Sequence, residues 1–337
     1  MDKKVHLAVV GAGSWGPNLI RNFYNLKSCQ IDYLVDSDEK ARKKISSQYP
    51  QIEIKSQLSE ILDDPKLQAV AIATSAPSHY DLALQVLSSG KDLYVEKPLT
   101  LKSYQAEKLN KLASDKNLII MVGHLLMYHP GVIYLKQIIE KGELGDIYYI
   151  YTTRVNLGKV RDQENALWSF APHDLSIILY LLDETPTEVV STGAAFLNPG
   201  VEDVVFTSLK FKSGKTAHVH VSWLDPHKIR KTTVVGSKKM AVFDDAAPGE
   251  NLRIYDKGVD YQPGMADYQG SLTLRIGDIY IPKIPAGEPL KNECLHFLDC
   301  VQNRKNPKSD GINGLNVVKI LQAATQSLRD HGKPINI

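Results

Sequence analysis

Cysteine is scarce: among 337 residues only Cys29, Cys294 and Cys300 carry a thiol. An odd number, without CxxC spacing or a nearby ligand cluster, supports neither a disulfide framework nor a thiolate metal site, and unpaired thiols fit a reducing compartment. Long apolar runs are missing too. None approaches the ~18–20 residues that a membrane-spanning helix needs. Met1-Asp2-Lys3-Lys4 leads straight into the apolar run Val5–Val10 with no signal-peptide core. The expected location is cytoplasmic, with no membrane partner. Neither sign of charge is in excess: 40 Lys and Arg face 38 Asp and Glu, a formal net charge of +2. No global field therefore recruits a polyanion, and nucleic acid is not an expected partner. The sequence has no HExxH and no GxSxG, which removes the zinc-peptidase and serine-hydrolase signatures. His218 and His220 share one strand face, but without further ligands they read as a polar sheet surface, and no metal is expected.

What is present is an ordinary globular composition, 43% hydrophobic and 23% charged, in a chain long enough for two domains that each bury a core. Over the first 120 or so residues, short apolar runs alternate with helical stretches, the pattern of a parallel sheet covered on both faces. Strands are expected at Val5–Val10, Ile31–Val35, Val70–Ala73, Asp92–Val95 and Leu118–Val122, with helices at Asn18–Asn25, Glu39–Gln48, Leu58–Leu62, Ser78–Ser88 and Ser103–Ala113. This makes residues 1–122 a doubly wound α/β domain. Beyond it, Ile147–Val155, Val204–Phe211, Lys215–Trp223 and Arg230–Val235 alternate apolar and polar residues, as half-buried strands do. Lys212-Ser213-Gly214-Lys215 reads as a hairpin turn. Helices are expected at Pro130–Lys141, Pro172–Leu182, Cys294–Gln302 and Asn313–His331. Residues 123–337 thus read as an α+β domain with a large, mostly antiparallel open sheet, its last helix packing back on the first domain.

The first strand runs into Gly11-Ala12-Gly13-Ser14-Trp15-Gly16, a GxGxxG, and the chain then turns helical. The first glycine permits the tight turn, the second lets backbone approach a pyrophosphate, and the third lets helix and strand pack closely. Phosphate would sit on the free N–H groups at the helix N-terminus. Asp36 follows Gly16 by 20 residues, at the end of the second strand. A carboxylate there accepts the adenosine ribose hydroxyls and repels a 2′-phosphate. The reading is a Rossmann domain that takes NAD. NADP stays the alternative, because Arg42 and Lys43 follow, though too far into the next helix for an obvious phosphate clamp.

Strand Asp92–Val95 ends in Glu96-Lys97-Pro98, and residues after the carboxyl ends of parallel strands face the ligand crevice. Lys97 could hydrogen-bond a substrate hydroxyl or the developing carbonyl oxygen. Together with Gly11–Gly16, the turn Ala73-Thr74-Ser75-Ala76-Pro77-Ser78-His79, and Gly142-Glu143-Leu144-Gly145 before a long strand, this motif resembles the Gfo/Idh/MocA family of sugar and cyclitol dehydrogenases over residues 5 to about 180. The resemblance implies that Thr74, Ser75, His79, Glu96 and Lys97 join Gly11, Gly13, Ser14, Trp15, Gly16 and Asp36 around the dinucleotide, with His124 near the nicotinamide. It also implies that Lys97 and a histidine of the second domain flank the hydroxyl being oxidised. His173, in Trp168-Ser169-Phe170-Ala171-Pro172-His173-Asp174, matches that histidine, although Ser169 stands where the family carries Asp and Met127 where many members carry Arg. With Pro172 at the first helical position, His173 would lie in the first turn, where the helix dipole keeps an imidazole neutral and able to take a proton.

Arg154, Asn156, Arg161, Asn165 and Trp168 form, with Lys97 and His173, a set suited to an anionic, hydroxylated ligand; a solvated loop with Trp168 covering the core is the alternative. The run also resembles family members that oxidise nucleotide-linked sugars, the UDP-N-acetylglucosamine and UDP-N-acetylglucosaminuronate 3-dehydrogenases. That implies oxidation at C3 of a UDP-linked hexose or hexuronate in glycan biosynthesis, with a free sugar or inositol as the alternative substrate. The family's habit of dimers and tetramers implies a homodimer or homotetramer. A nonenzymatic NAD-binding sensor is the reading from another class, since a fold does not by itself guarantee catalysis.

Overall fold

The computed structural model describes residues 4–162, 164–247, 249–261 and 272–337. The chain divides into two compact units, Met1–Tyr128 with Gly287–Lys319 and His129–Ala286 with Ile320–Ile337.

In the first unit, β1 (Val5–Val10), β2 (Cys29–Val35), β3 (Glu53–Lys55), β4 (Ala69–Ile72), β5 (Asp92–Glu96) and β6 (Ile120–Gly123) form one parallel sheet in the order β3-β2-β1-β4-β5-β6. Helices α1 (Gly16–Tyr24), α2 (Glu39–Gln48), α3 (Ala76–Ser88) and α4 (Ser103–Asp115) make the crossovers. β4 is buried along its whole length and β1 nearly so, as strands covered on both faces must be. The strand order reverses between β1 and β4, which opens a crevice at their carboxyl ends. Leu58–Leu62 is not the expected helix but a short 3-10 turn, Leu58–Glu60. Pro65 follows after Asp63-Asp64, and a proline drives the residue before it out of the α region.

The second unit holds α5 (Pro130–Glu140), β7 (Ile147–Val155), α6 (Ala166–Leu182), β8 (Pro186–Ala194), β9 (Val204–Phe211), β10 (Thr216–Ser222), β11 (Ile229–Gly236), β12 (Met240–Asp244), β13 (Leu252–Tyr261) and β14 (Leu272–Tyr280). Nine strands pair in the order β14-β13-β12-β11-β7-β10-β9-β8-β15, where β15 is Ile335–Asn336. All pairs are antiparallel except β7 with β10. The Gly214 turn, at φ 86°, joins β9 to β10, so the hairpin forms where Gly tolerates a left-handed backbone.

Two expectations fail here. α6 starts at Ala166, capped by the Asn165 side chain on the Trp168 N–H (3.1 Å), and Pro172 lies inside it. An interior proline costs about 3 kcal/mol, but 13 of the helix's 17 residues are buried, and that burial outweighs the lost backbone bond. His173 is therefore well past the first turn, and the dipole argument for its neutrality does not hold. Along β7 the alternation is inverted: Thr152 (1% exposed) and Arg154 (8%) face inward while Tyr149 and Tyr151, each about 40% exposed, face outward.

The chain rejoins the first unit through α7 (Pro289–Asn303) and the first half of α8 (Gly311–Arg329). Phe297 of α7 meets Phe23 and Tyr94 edge to face, with centroids 6.2 and 5.7 Å apart. Arg304 at the end of α7 pairs with buried Asp92 at 2.6 Å.

Candidate active site

The glycine loop has the geometry its sequence demands. Gly11 has φ 98°, and a Cβ there would lie 2.9 Å from Ala73 backbone; one on Gly16 would fall 2.0 Å from the Gly11 carbonyl oxygen. A Cβ on exposed Gly13 would meet nothing within 4 Å, so open space lies beside it. The N–H groups of Gly13, Ser14 and Trp15 have no hydrogen-bond partner among the described residues, and α1 has no side-chain cap. These open donors at a helix N-terminus suit the pyrophosphate of a dinucleotide.

The Asp36 carboxylate accepts from the Ala12 N–H (2.6 Å) and the Asp38 N–H (2.8 Å), which pins it against the loop and leaves lone pairs for ribose hydroxyls. Arg42 is nearer than its place in the helix suggests. Its Nη1 donates to the carbonyl oxygens of Asp36 (2.7 Å) and Ser37 (2.9 Å), because a six-residue reach from the second turn of α2 folds back over the helix start. Lys43 pairs with Glu39 instead.

Thr74 and Ser75 lie at the end of β4, where Thr74 Oγ1 accepts from Ser78 (2.8 Å). His79 is buried, its ring between the carbonyl oxygens of Pro98 (2.7 Å) and Thr74 (3.1 Å). It holds the two crossover turns together, and burial pushes its pKa down. Lys97, half-buried, precedes Pro98 through a cis peptide bond. Glu96 accepts from the Trp15 indole N–H at 2.6 Å, so the exposed tryptophan of the glycine loop is tied to the strand that carries Lys97. His124 is fully buried, with Nδ1 2.7 Å from Asn313 Oδ1. Burial and the Lys97 charge depress its pKa to about 4, against the pull of Asn313. With its proton on Nδ1, Nε2 is a buried lone pair without a partner.

The expected residues of the second unit cluster on α6 and the loop before it. His173 is half-buried. Asn165 caps α6 and donates to Glu202 (2.6 Å), and the Trp168 indole N–H donates to Thr325 Oγ1 (2.9 Å). Arg161 is exposed and pairs with Glu164 at 2.9 Å, Lys159 is exposed, and Asn156 is half-buried. Arg154 is engaged differently from the anion-binding role expected of it: Nε and Nη2 donate to the two oxygens of Asp174 at 2.7 and 3.2 Å. This buried fork joins β7 to α6 one residue from His173. Burial pushes the Asp174 carboxyl up and Arg154 pulls it back. Asp174→Ala strands the guanidinium in the interior and is expected to lower stability by about 3–5 kcal/mol, read as a large fall in the denaturation midpoint; a midpoint within a degree of wild type would contradict the pair's structural weight.

Tyr94, Glu293, Asn313 and Asp174 escaped the sequence reading. Tyr94 shares a strand face with Glu96 two residues on, and Glu293 interrupts the apolar face Leu290, Cys294, Phe297 and Val301 of α7. Both signals were present. Nothing in the sequence linked them to each other.

Residues 5–124 match the oxidoreductase family with an NAD-binding Rossmann fold, Gfo/Idh/MocA, and residues 132–242 match the Gfo/Idh/MocA C-terminal domain. The chain belongs to the Gfo/Idh/MocA family. Among relatives, scyllo-inositol 2-dehydrogenase (NAD(+)) of Bacillus subtilis is 27% identical, covering 100% of this chain and 97% of its own length. UDP-N-acetylglucosamine 3-dehydrogenase of Acidithiobacillus ferrooxidans is 23% identical over 77% of this chain and 78% of its own. An Agrobacterium radiobacter oxidoreductase crystallised with NAD+, L-tartaric acid and magnesium has the same fold, at a TM-score of 0.82 and 16% identity over 99% of this chain and 98% of that one. As a Gfo/Idh/MocA protein it is an oxidoreductase with an NAD-binding Rossmann fold, and the reading as a nonenzymatic sensor gives way. No helix among the described residues is long and apolar enough to cross a membrane.

Proposed function

We propose that this enzyme oxidises a secondary hydroxyl of a sugar in the cytoplasm, with Lys97 and His173 handling the oxygen and its proton. Bound NAD supplies the hydride acceptor. Lys97 donates a hydrogen bond to the carbinol oxygen and stabilises the developing carbonyl, while His173 takes the hydroxyl proton. The observation that carries this reading is the Glu96-Lys97-Pro98 turn, held at the carboxyl end of β5 by Trp15 on one side and His79 on the other. Trp15 belongs to the glycine loop and His79 to the first turn of α3, so the lysine turn is fixed relative to the glycine loop.

The finer reading is oxidation at C3 of a UDP-linked N-acetylated hexose or hexuronate, for a glycan-building route. Exposed Lys159 and Arg161 favour it, as does the likeness to a UDP-N-acetylglucosamine dehydrogenase. A free cyclitol or sugar is the second reading, favoured by the full-length likeness to an inositol dehydrogenase and by the neutralisation of Arg154 by Asp174. Calorimetric titration of the NAD-loaded protein with UDP, UDP-N-acetylglucosamine and scyllo-inositol separates them. Heat from UDP alone supports the nucleotide sugar, and heat from inositol alone supports the cyclitol.

A homodimer or homotetramer is part of the proposal. Tyr149 and Tyr151, stacked at 6.3 Å, and Phe206, stacked on His220 at 4.4 Å, lie on the exposed face of the nine-stranded sheet, a large aromatic surface of the kind that meets another subunit. Tyr151→Asp with Phe206→Asp is expected to shift the protein to monomer in sedimentation. An unchanged mass would remove this face from the assembly.

A further inference from the structure

Tyr94, on β5, places its hydroxyl between two carboxylates, 3.1 Å from Glu293 Oε2 and 3.2 Å from Glu96 Oε1. A phenol has one hydrogen to donate. If both carboxylates were charged, one contact would set lone pair against lone pair in the interior, which the surroundings do not compensate. The two acids differ in what else they meet. Glu96 has donors: the Trp15 indole N–H on Oε1, the Lys97 backbone N–H on Oε2 at 3.3 Å, and the Lys97 charge alongside. Glu293 is 0% exposed, and its Oε1 has no hydrogen-bond partner among the described residues. The titratable groups that face it are Tyr94 and Glu96 from β5, Tyr128 from the turn before α5, and Cys294 from its own helix, and none of them is a cation.

We propose that Glu293 is carried as a neutral acid donating to the Tyr94 oxygen, that Tyr94 donates in turn to Glu96, and that Glu96 is the charged member, held beside Lys97 to set that lysine's proton affinity. Tyr94 and Glu293 are thus positioning residues for the lysine of the proposed reaction, acting through Glu96, and the inference rests on that reading of Lys97. Burial agrees with the assignment. It pushes the Glu293 carboxyl well up, with Glu96 adding to the push, whereas burial raises Glu96 only to about 7 against the pull of Lys97, Trp15 and Tyr94. Glu96 therefore gives up its proton first and is charged above neutrality, while Glu293 keeps its own.

The test uses the full-length protein without any sugar. In infrared difference spectra at pH 8, Glu293→Gln should remove a protonated-carboxyl C=O band that wild type shows; a band lost only from the carboxylate region would overturn the assignment. Stability gives the same sign: an acid raised in the folded state stabilises fully below its unfolded pKa of about 4.3 and loses that contribution as pH rises toward its folded pKa. Wild-type Tm should therefore fall more steeply than that of Glu293→Gln between pH 5 and 8, by roughly 6–12 °C; parallel curves would count against a neutral Glu293. Acetic anhydride labelling of Lys97 at pH 8, where Glu96 is charged, followed by mass spectrometry, reads the lysine itself. Glu96→Gln should speed labelling about tenfold, one pKa unit; Tyr94→Phe, which takes a donor from Glu96 and leaves it less charged, should speed labelling by less, between wild type and Glu96→Gln; and Glu293→Gln should leave it unchanged. A Glu293→Gln effect as large as that of Glu96→Gln would overturn the proposal. If Glu293→Gln does not fold, Tyr94→Phe carries the labelling test. Full turnover in Lys97→Ala would instead end the catalytic reading of Lys97 and leave the infrared and labelling results standing.

Discussion

Replacing His173 with alanine is expected to lower turnover by more than ~100-fold, the weight of a positioned general base, with NAD affinity changed by less than about twofold. The reason is the proton. Hydride departure from a carbinol carbon leaves an oxygen that must lose its proton in the same step, and a half-buried imidazole on a rigid helix is suited to take it. α6 gives that rigidity: 13 of its residues are buried, and the Arg154–Asp174 fork anchors it at the neighbouring position. His173 lies in the second unit and the glycine loop in the first, so the substitution removes no residue of that loop. Stopped-flow reduction of NAD, with the binding constant measured separately by fluorescence, checks both halves. Wild-type turnover in His173→Ala would remove it from the mechanism; a loss of turnover matched by a loss of NAD binding would make it a structural residue.

The second large effect concerns cofactor choice. Asp36→Ser is expected to raise the NADP-to-NAD ratio of kcat/KM on the order of 100-fold, since ~1.4 kcal/mol corresponds to each tenfold. Two contributions act together. The carboxylate that repels a 2′-phosphate is gone, and Arg42, already resting on the carbonyl oxygens of Asp36 and Ser37, remains to attract one. The double variant Asp36→Ser/Arg42→Ala should lose most of the gain. An unchanged ratio in Asp36→Ser would show that discrimination resides elsewhere in the loop.

Much of the first unit was legible because its signals are local. A strand, a GxGxxG turn, a helix and an acid 20 residues on lie within one stretch of chain, and Gly11 and Gly16 each answer a constraint imposed by residues close to them in space. The strands of the second sheet were equally readable, for alternation follows from the two-residue repeat of the pleat. The start of α6 was misread because Pro172 looks like a first-turn residue, whereas the tertiary burial of thirteen side chains holds the helix through it. The inward face of β7 was misread for a related reason. Arg154 appears solvated until Asp174, 20 residues away, neutralises it.

By itself the sequence determined the doubly wound domain, the glycine loop with an acid at the end of the second strand, and the lysine turn after β5, since periodicity and backbone sterics act between near neighbours. Only the tertiary structure decided what each polar group meets: Arg154 the carboxylate of Asp174, Glu96 the donors Trp15 and Tyr94, and Tyr94 a glutamate 199 residues later. The physical reason is that a group's charge depends on its desolvation and on the donors that reach it, and both are properties of the folded surroundings rather than of the chain.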